Sequence, residues 1–177
     1  LSDEVEEMIA KMNLTAGGSW ASLFDYLTST VLADYKGEKI TLPSVRNLAY
    51  SKDTQVRKDA YEAELLCYDK IKDSVAYALN NIKKQVNMLS ETRGYASPLA
   101  MTLEQSRMSQ ETLDALWTAV EEYLPKFQAY LKRKSELLGY TNGLPWFELY
   151  AEIGKIDKTY TAEEAKDYLI SHFTSFS

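Results

Sequence analysis

From Asp53 to Gly94 the sequence contains no proline, and Val56, Ala60, Ala63, Cys67, Ile71, Val75, Leu79, Ile82, Val86 and Leu89 recur at steps of three or four residues. That spacing puts them on one face of an α-helix. It predicts a single long helix, capped by Asp53 and stopped by Gly94, reaching about 60 Å at 1.5 Å per residue. An apolar stripe of that length needs partner helices, so the chain is expected to be all-α, a bundle of long helices. Cys67 lies within the stripe and reads as a small buried hydrophobe, because a reactive thiol needs an exposed, electropositive setting.

The flanking segments repeat this pattern. Ser2 caps a first helix with Asp3 and Glu4 in its opening turn and Val5, Met8, Ile9 and Met12 as its buried stripe; Gly17-Gly18 ends it. Ser19 then caps a helix carrying Trp20, Leu23, Phe24, Leu27 and Val31. From about residue 29 to 42, β-branched residues on either side of Tyr35-Lys36-Gly37-Glu38 predict one small β-hairpin insert, with Gly37 supplying a positive-φ turn and the helices supplying support. A short helix from Pro43 to about Ala49 follows. Ser97-Pro98 opens another helix, and Ser109 with Glu111 opens a long one carrying Leu113, Leu116, Trp117, Val120, Leu124, Phe127, Leu131 and Leu138, with Gly139 as its stop. Pro125 lies inside that run and predicts a kink or a break. A loop through Asn142-Gly143 and Leu144-Pro145 comes next. Thr161 and Glu164 fit a capping box, opening a last helix that runs to the end of the sequence.

Composition limits the classes of function. A chain of 177 residues can hide roughly 70% of its unfolded surface, and 45% apolar with 26% charged residues is ordinary for a globular protein. The net charge of -6 opposes binding to phosphate backbones. The basic runs Lys83-Lys84 and Lys132-Arg133-Lys134 are expected to be solvated helix faces. A single cysteine forms no internal disulfide, and no apolar run reaches membrane-spanning length, so a cytoplasmic protein is the default expectation. The sequence starts at Leu1 without an initiator Met and ends with Phe173-Thr174-Ser175-Phe176-Ser177 still at helical spacing, which reads as an excerpt.

Catalytic chemistry finds little support. The helical zinc motif His-Glu-x-x-His needs two histidines, and this sequence has one, His172. The same count excludes a paired Glu-x-x-His di-iron site. His172 beside Ser171, Phe173 and Phe176 reads as an amphipathic helix end. Glu121-Glu122 and Glu163-Glu164 are adjacent on helices and point apart. The expectation is therefore no catalytic, cofactor-binding or metal-binding residue. Thirteen tyrosines are many. Tyr61, Tyr68, Tyr77, Tyr123 and Tyr130 either line the margins of the core with hydroxyls in water or form a polar-aromatic groove wall that holds a peptide.

Several stretches carry a family resemblance: Leu42-Pro43-Ser44-Val45-Arg46-Asn47-Leu48-Ala49-Tyr50, Asp53 to Arg57, and Ala60-Tyr61-Glu62-Ala63-Glu64-Leu65. Arg93-Gly94-Tyr95-Ala96-Ser97-Pro98-Leu99, Ser106-Arg107-Met108-Ser109 and Leu144-Pro145-Trp146-Phe147-Glu148-Leu149-Tyr150 continue it, through Tyr160 to Ala165 and the final Phe173 to Ser177. In this order they resemble oligoendopeptidase F, over nearly the whole sequence. The resemblance implies a cytosolic zinc metallopeptidase of the thimet oligopeptidase kind, helical and two-lobed, with a channel that admits oligopeptides. In that family the His-Glu-x-x-His helix and a downstream Glu ligand lie beyond the matched region, so zinc belongs to the full-length enzyme and is not expected on this chain. Glu148 departs from the Asp expected there and is given no role. Residues 1–94 are expected to be an N-terminal helical region with the hairpin, and 95–177 the start of a peptidase domain. Such a segment would wall the substrate channel, and its exposed apolar surface would drive self-association. The alternative is a self-contained helical module that binds a peptide or protein without catalysis.

Overall fold

The computed structural model describes residues 1–154 and 158–176. Its elements are α1 (Asp3–Thr15), α2 (Gly17–Thr30), β1 (Leu32–Tyr35), β2 (Glu38–Thr41), α3 (Leu42–Asn47), α4 (Thr54–Tyr68), α5 (Lys72–Thr92), α6 (Pro98–Gln105), α7 (Gln110–Leu137) and α8 (Ala162–Thr174). Short 3-10 turns occupy Leu48–Tyr50 and Trp146–Glu148. The fold is mostly α with one antiparallel hairpin, as the periodicity predicts. β1 and β2 pair with Leu32 opposite Thr41 and Tyr35 opposite Glu38. Lys36 shares the positive φ with Gly37, at 49° and 85°, which is the twist a two-residue hairpin turn needs.

Helix ends follow local side-chain chemistry. The side chains of Asp53, Ser97 and Ser109 accept hydrogen bonds from the first-turn amides of α4, α6 and α7. Thr161 and Glu164 close the capping box of α8, which ends at Thr174. α7 continues through Pro125 without a break. The carbonyl that loses its partner there belongs to Glu121, which is exposed and open to water.

Two boundaries differ from expectation. The Gly17-Gly18 pair opens α2 instead of ending α1, and Ser19 lies inside α2, donating to the Thr15 carbonyl at 2.7 Å. A Cβ on Gly17 would lie 2.0 Å from Gln85 Oε1, and one on Gly18 would lie 2.8 Å from the Asn13 carbonyl oxygen. These glycines are sites of close helix approach, not a stop signal. The long helix predicted from Asp53 to Gly94 is also two helices, α4 and α5. At the break, Lys70 and Ile71 amides bond to the Cys67 and Tyr68 carbonyls, a tighter turn than the α-helix. The Lys70 ammonium reaches the hairpin, 2.7 Å from the Leu32 carbonyl and 2.7 Å from the Asp34 carboxylate. The two halves serve different neighbours: α4 packs on β1, α3 and the Trp146–Glu148 turn, and α5 packs on α2 and α6.

The main core lies where the hairpin, α3 and α4 meet: Ala33, Leu42, Val45, Ala60 and Cys67, with Val31, Tyr35, Ile40, Leu48 and Tyr68 packed against them. Cys67 is fully buried, as its place in the stripe predicts, and burial pushes its thiol above the ordinary range. Elsewhere the expected stripes are covered only in part: Ile9, Trp20, Leu23, Leu27, Val75, Ile82, Val86 and Leu89 are half-buried. Val5, Met8 and Met12 of α1, Phe24 of α2 and Leu79 of α5 are exposed. The accessible surface is 13707 Å², against about 8,800 Å² for a compact monomer of this mass. Folding therefore hides only about half of the unfolded chain's surface, not the 70% its length allows.

Candidate functional site

The most concentrated polar chemistry lies under the Trp146–Glu148 turn. Glu148 is 1% exposed and Arg57, on α4, is 4% exposed. Arg57 Nη2 donates to Glu148 Oε2 at 2.5 Å, and the Tyr140 hydroxyl donates to Oε1 at 2.9 Å. Arg57 also donates to the Ser51 carbonyl at 2.6 Å and to the Thr54 hydroxyl at 3.0 Å. Burial, then the bond to Glu148, pushes the Tyr140 phenol above its ordinary range. Beside them, Lys134 is buried and donates to the Leu149 carbonyl at 2.8 Å, and Ser135 donates to the Tyr140 carbonyl at 3.1 Å. These bonds tie α4, the end of α7 and the 140–151 segment into one body. Glu148, given no role from sequence, is thus a buried anchor. Lys134, read as part of a solvated basic run, is instead enclosed, whereas Lys132 and Arg133 are exposed.

Of the sequence-level candidates, the structure brings together Ser171 and His172, whose Oγ and Nδ1 lie 3.2 Å apart. His172 is exposed on α8, its Nδ1 2.8 Å from the Tyr168 carbonyl oxygen and its ring centroid 3.9 Å from that of Tyr168. Ser171 spends its proton on the same carbonyl, at 2.9 Å. Glu164 is committed to the α8 cap. Among the described residues no three His, Cys, Asp or Glu side chains come close enough to hold a metal ion, so the residues present do not fit a zinc site. Of the tyrosines, Tyr61 meets Phe147 with ring centroids 6.2 Å apart, and the Tyr68 hydroxyl joins Glu64 and Arg46. Both are half-buried. Tyr77, Tyr123 and Tyr130 are exposed, and the Lys126 ammonium lies 4.0 Å from the Tyr123 ring centre.

The second prominent feature is α7. Its apolar stripe is exposed through Leu116, Trp117, Val120, Leu124, Phe127 and Leu131, and becomes enclosed only at Lys134 and Ser135. A groove of about 760 Å³ continues from Leu131 along Ser135, Gly139 and Tyr140 to Leu144.

The profile of peptidase family M3 matches residues 47–168, the greater part of the chain and both features just described. The chain belongs to peptidase family M3. Its M3 relatives include Group B oligopeptidase PepB of Streptococcus agalactiae, 26% identical over 172 residues that make up 93% of this chain and 28% of that protein. Oligopeptidase PepF of Bacillus subtilis is 25% identical over 178 residues, 96% of this chain and 26% of that protein. The crystal structure of oligoendopeptidase-F from Enterococcus faecium superposes with a TM-score of 0.72 at 23% identity, over 88% of this chain and 32% of that one, a likeness of fold. The chain therefore spans little more than a quarter of the length of these curated relatives. No helix among the described residues is long and apolar enough to cross a membrane.

Proposed function

We propose that this chain is a non-catalytic helical segment of a cytoplasmic, zinc-dependent oligoendopeptidase, whose work is to help wall the channel in which oligopeptides are hydrolysed. Residues 1–94 form its N-terminal helical region and 95–177 open its peptidase domain. The observation that carries this reading is coverage: 93% of the chain aligns with an oligopeptidase of which it accounts for only 28%. The zinc, and the His-Glu-x-x-His helix that holds it, belong to the remainder, because one histidine cannot build that motif. In the full enzyme the metal would supply an activated water and polarise the scissile carbonyl. This segment contributes shape and stiffness through the Arg57–Glu148–Tyr140 anchor.

The test is to read the coding frame on both sides of the 177 residues and express what it encodes. A frame that includes His-Glu-x-x-His with a downstream Glu, and a product that cleaves oligopeptides until a chelator is added, supports the reading. A frame confined to these residues, or a longer product without that motif, overturns it and leaves a binding module.

A further inference from the structure

We infer that the bare stripe of α7 is the seat of an apolar helix from elsewhere in the same, longer polypeptide, and that this face is interior packing rather than part of the peptide-binding wall. This rests on the functional reading above, and goes beyond it by naming the surface and its occupant.

Four observations converge. First, the stripe from Leu116 to Leu131 extends over about 22 Å of helix, with Trp117 58% and Phe127 62% exposed; side chains at three- and four-residue steps form the ridges that another helix fills. Second, the stripe is continuous with an interface that exists: one turn further along the same face, Lys134 and Ser135 are closed over by the 140–151 segment. The groove of about 760 Å³ between them extends the same surface.

Third, the area argues for the chain's own remainder over a second copy. A surface about 4,900 Å² larger than a compact monomer's is several times the roughly 800 Å² per partner that a standard interface covers. With only 28% of the PepB length present, the missing polypeptide is large enough to cover it. Fourth, the chemistry is wrong for a peptide substrate. No charged residue falls within the stripe between Leu116 and Leu131, and apart from the Glu121 carbonyl opposite Pro125, the helix backbone there pairs its own amides and carbonyls. An extended peptide laid there would leave its main-chain groups without partners, whereas a helix brings its own satisfied.

The experiment compares cysteine labelling in the 177-residue chain and in the longer polypeptide, read site by site by mass spectrometry. Phe127→Cys reports the stripe, and Glu122→Cys, on the opposite face of α7, is the control; both native residues are exposed. The expected result is that Phe127→Cys labels at least tenfold more slowly in the longer polypeptide while Glu122→Cys labels at similar rates in both. Equal rates at Phe127→Cys in the two chains overturn the inference. So does labelling in the longer polypeptide that only added oligopeptide suppresses, since that marks a substrate wall. Protection that appears in the 177-residue chain as its concentration rises, but not in the longer polypeptide, assigns the face to a second copy. If no longer frame exists, the functional reading falls and takes this inference with it; an open frame with a reactive Phe127→Cys sinks this inference alone.

Discussion

Arg57 and Glu148 are the residues on which the packing of α4 against the 140–151 segment turns. Each is nearly sealed from water, so removing one leaves the other charged and unpaired, at a cost of about 3–5 kcal/mol. Arg57→Met and Glu148→Leu alone should each lower unfolding free energy in urea by that order. The double variant should be more stable than either single, because no charge is then stranded. Losses that simply add would show that the pair is not coupled. A second, gentler prediction concerns Glu6, which pairs with Arg93 at 2.6 Å and 3.0 Å and so joins α1 to the end of α5. The Arg93 hydrogen bond, followed by its charge, holds the Glu6 carboxyl below the ordinary carboxylate range. A depressed folded-state pKa adds stability that is complete above the unfolded value, about 4.3 for Glu, and is lost as pH falls through the folded value. The stability gap between the native chain and Glu6→Gln should therefore shrink as pH drops below about 4.3. A gap that stays constant from neutral pH into that acidic range would rule the contribution out.

Elements were readable where their causes are local. Ser97-Pro98, Ser109 and the Thr161–Glu164 box cap the helices predicted from them, since a cap needs only residues three positions apart. The break between α4 and α5 was not readable, because its anchor, Lys70 on Leu32 and Asp34, is distant in sequence and the apolar period runs straight across it. Glu148 and Lys134 were missed for a similar reason: nothing near a lone acid or a basic triplet announces that a tyrosine, an arginine or a carbonyl from another element will enclose it. The Gly17-Gly18 pair carries the same lesson, since glycine as a stop and glycine as a close approach look alike in sequence. The two should part under substitution. Gly17→Ala meets only the ends of the Gln85 and Asn13 side chains, which can swing away, and should change stability by less than about 1 kcal/mol. Gly18→Ala meets the Asn13 backbone carbonyl and should cost about 1–3 kcal/mol, as overpacking does. Thermal melts of equal midpoint for the two variants would remove the distinction.

At the scale of the molecule, stability should be unevenly distributed, and hydrogen exchange can read that distribution. The fully buried residues of the main core gather where α3, α4 and the hairpin meet, and the Arg57–Glu148 anchor adds its bonds to the same body. From Gln110 to Arg133, by contrast, α7 is exposed apart from a half-buried Leu113, and Pro125 removes one of its amide donors. A helix held by its own backbone bonds alone is marginal in water, because each turn must offset the entropy of ordering it without burial to help. In the 177-residue chain, amides of α7 from Leu116 to Leu131 should exchange first, and those of α4 around Ala60 to Cys67 last, near the global unfolding limit. Two further consequences separate a bare interface from an ordinary surface. The chain should bind an apolar dye and associate as its concentration rises, and Leu124→Glu with Phe127→Glu should reduce both while leaving exchange in α4 unchanged, since neither side chain touches the main core. If α7 instead exchanges as slowly as α4 in dilute monomer, the helix needs no partner, and the surplus surface is a property of a self-sufficient module.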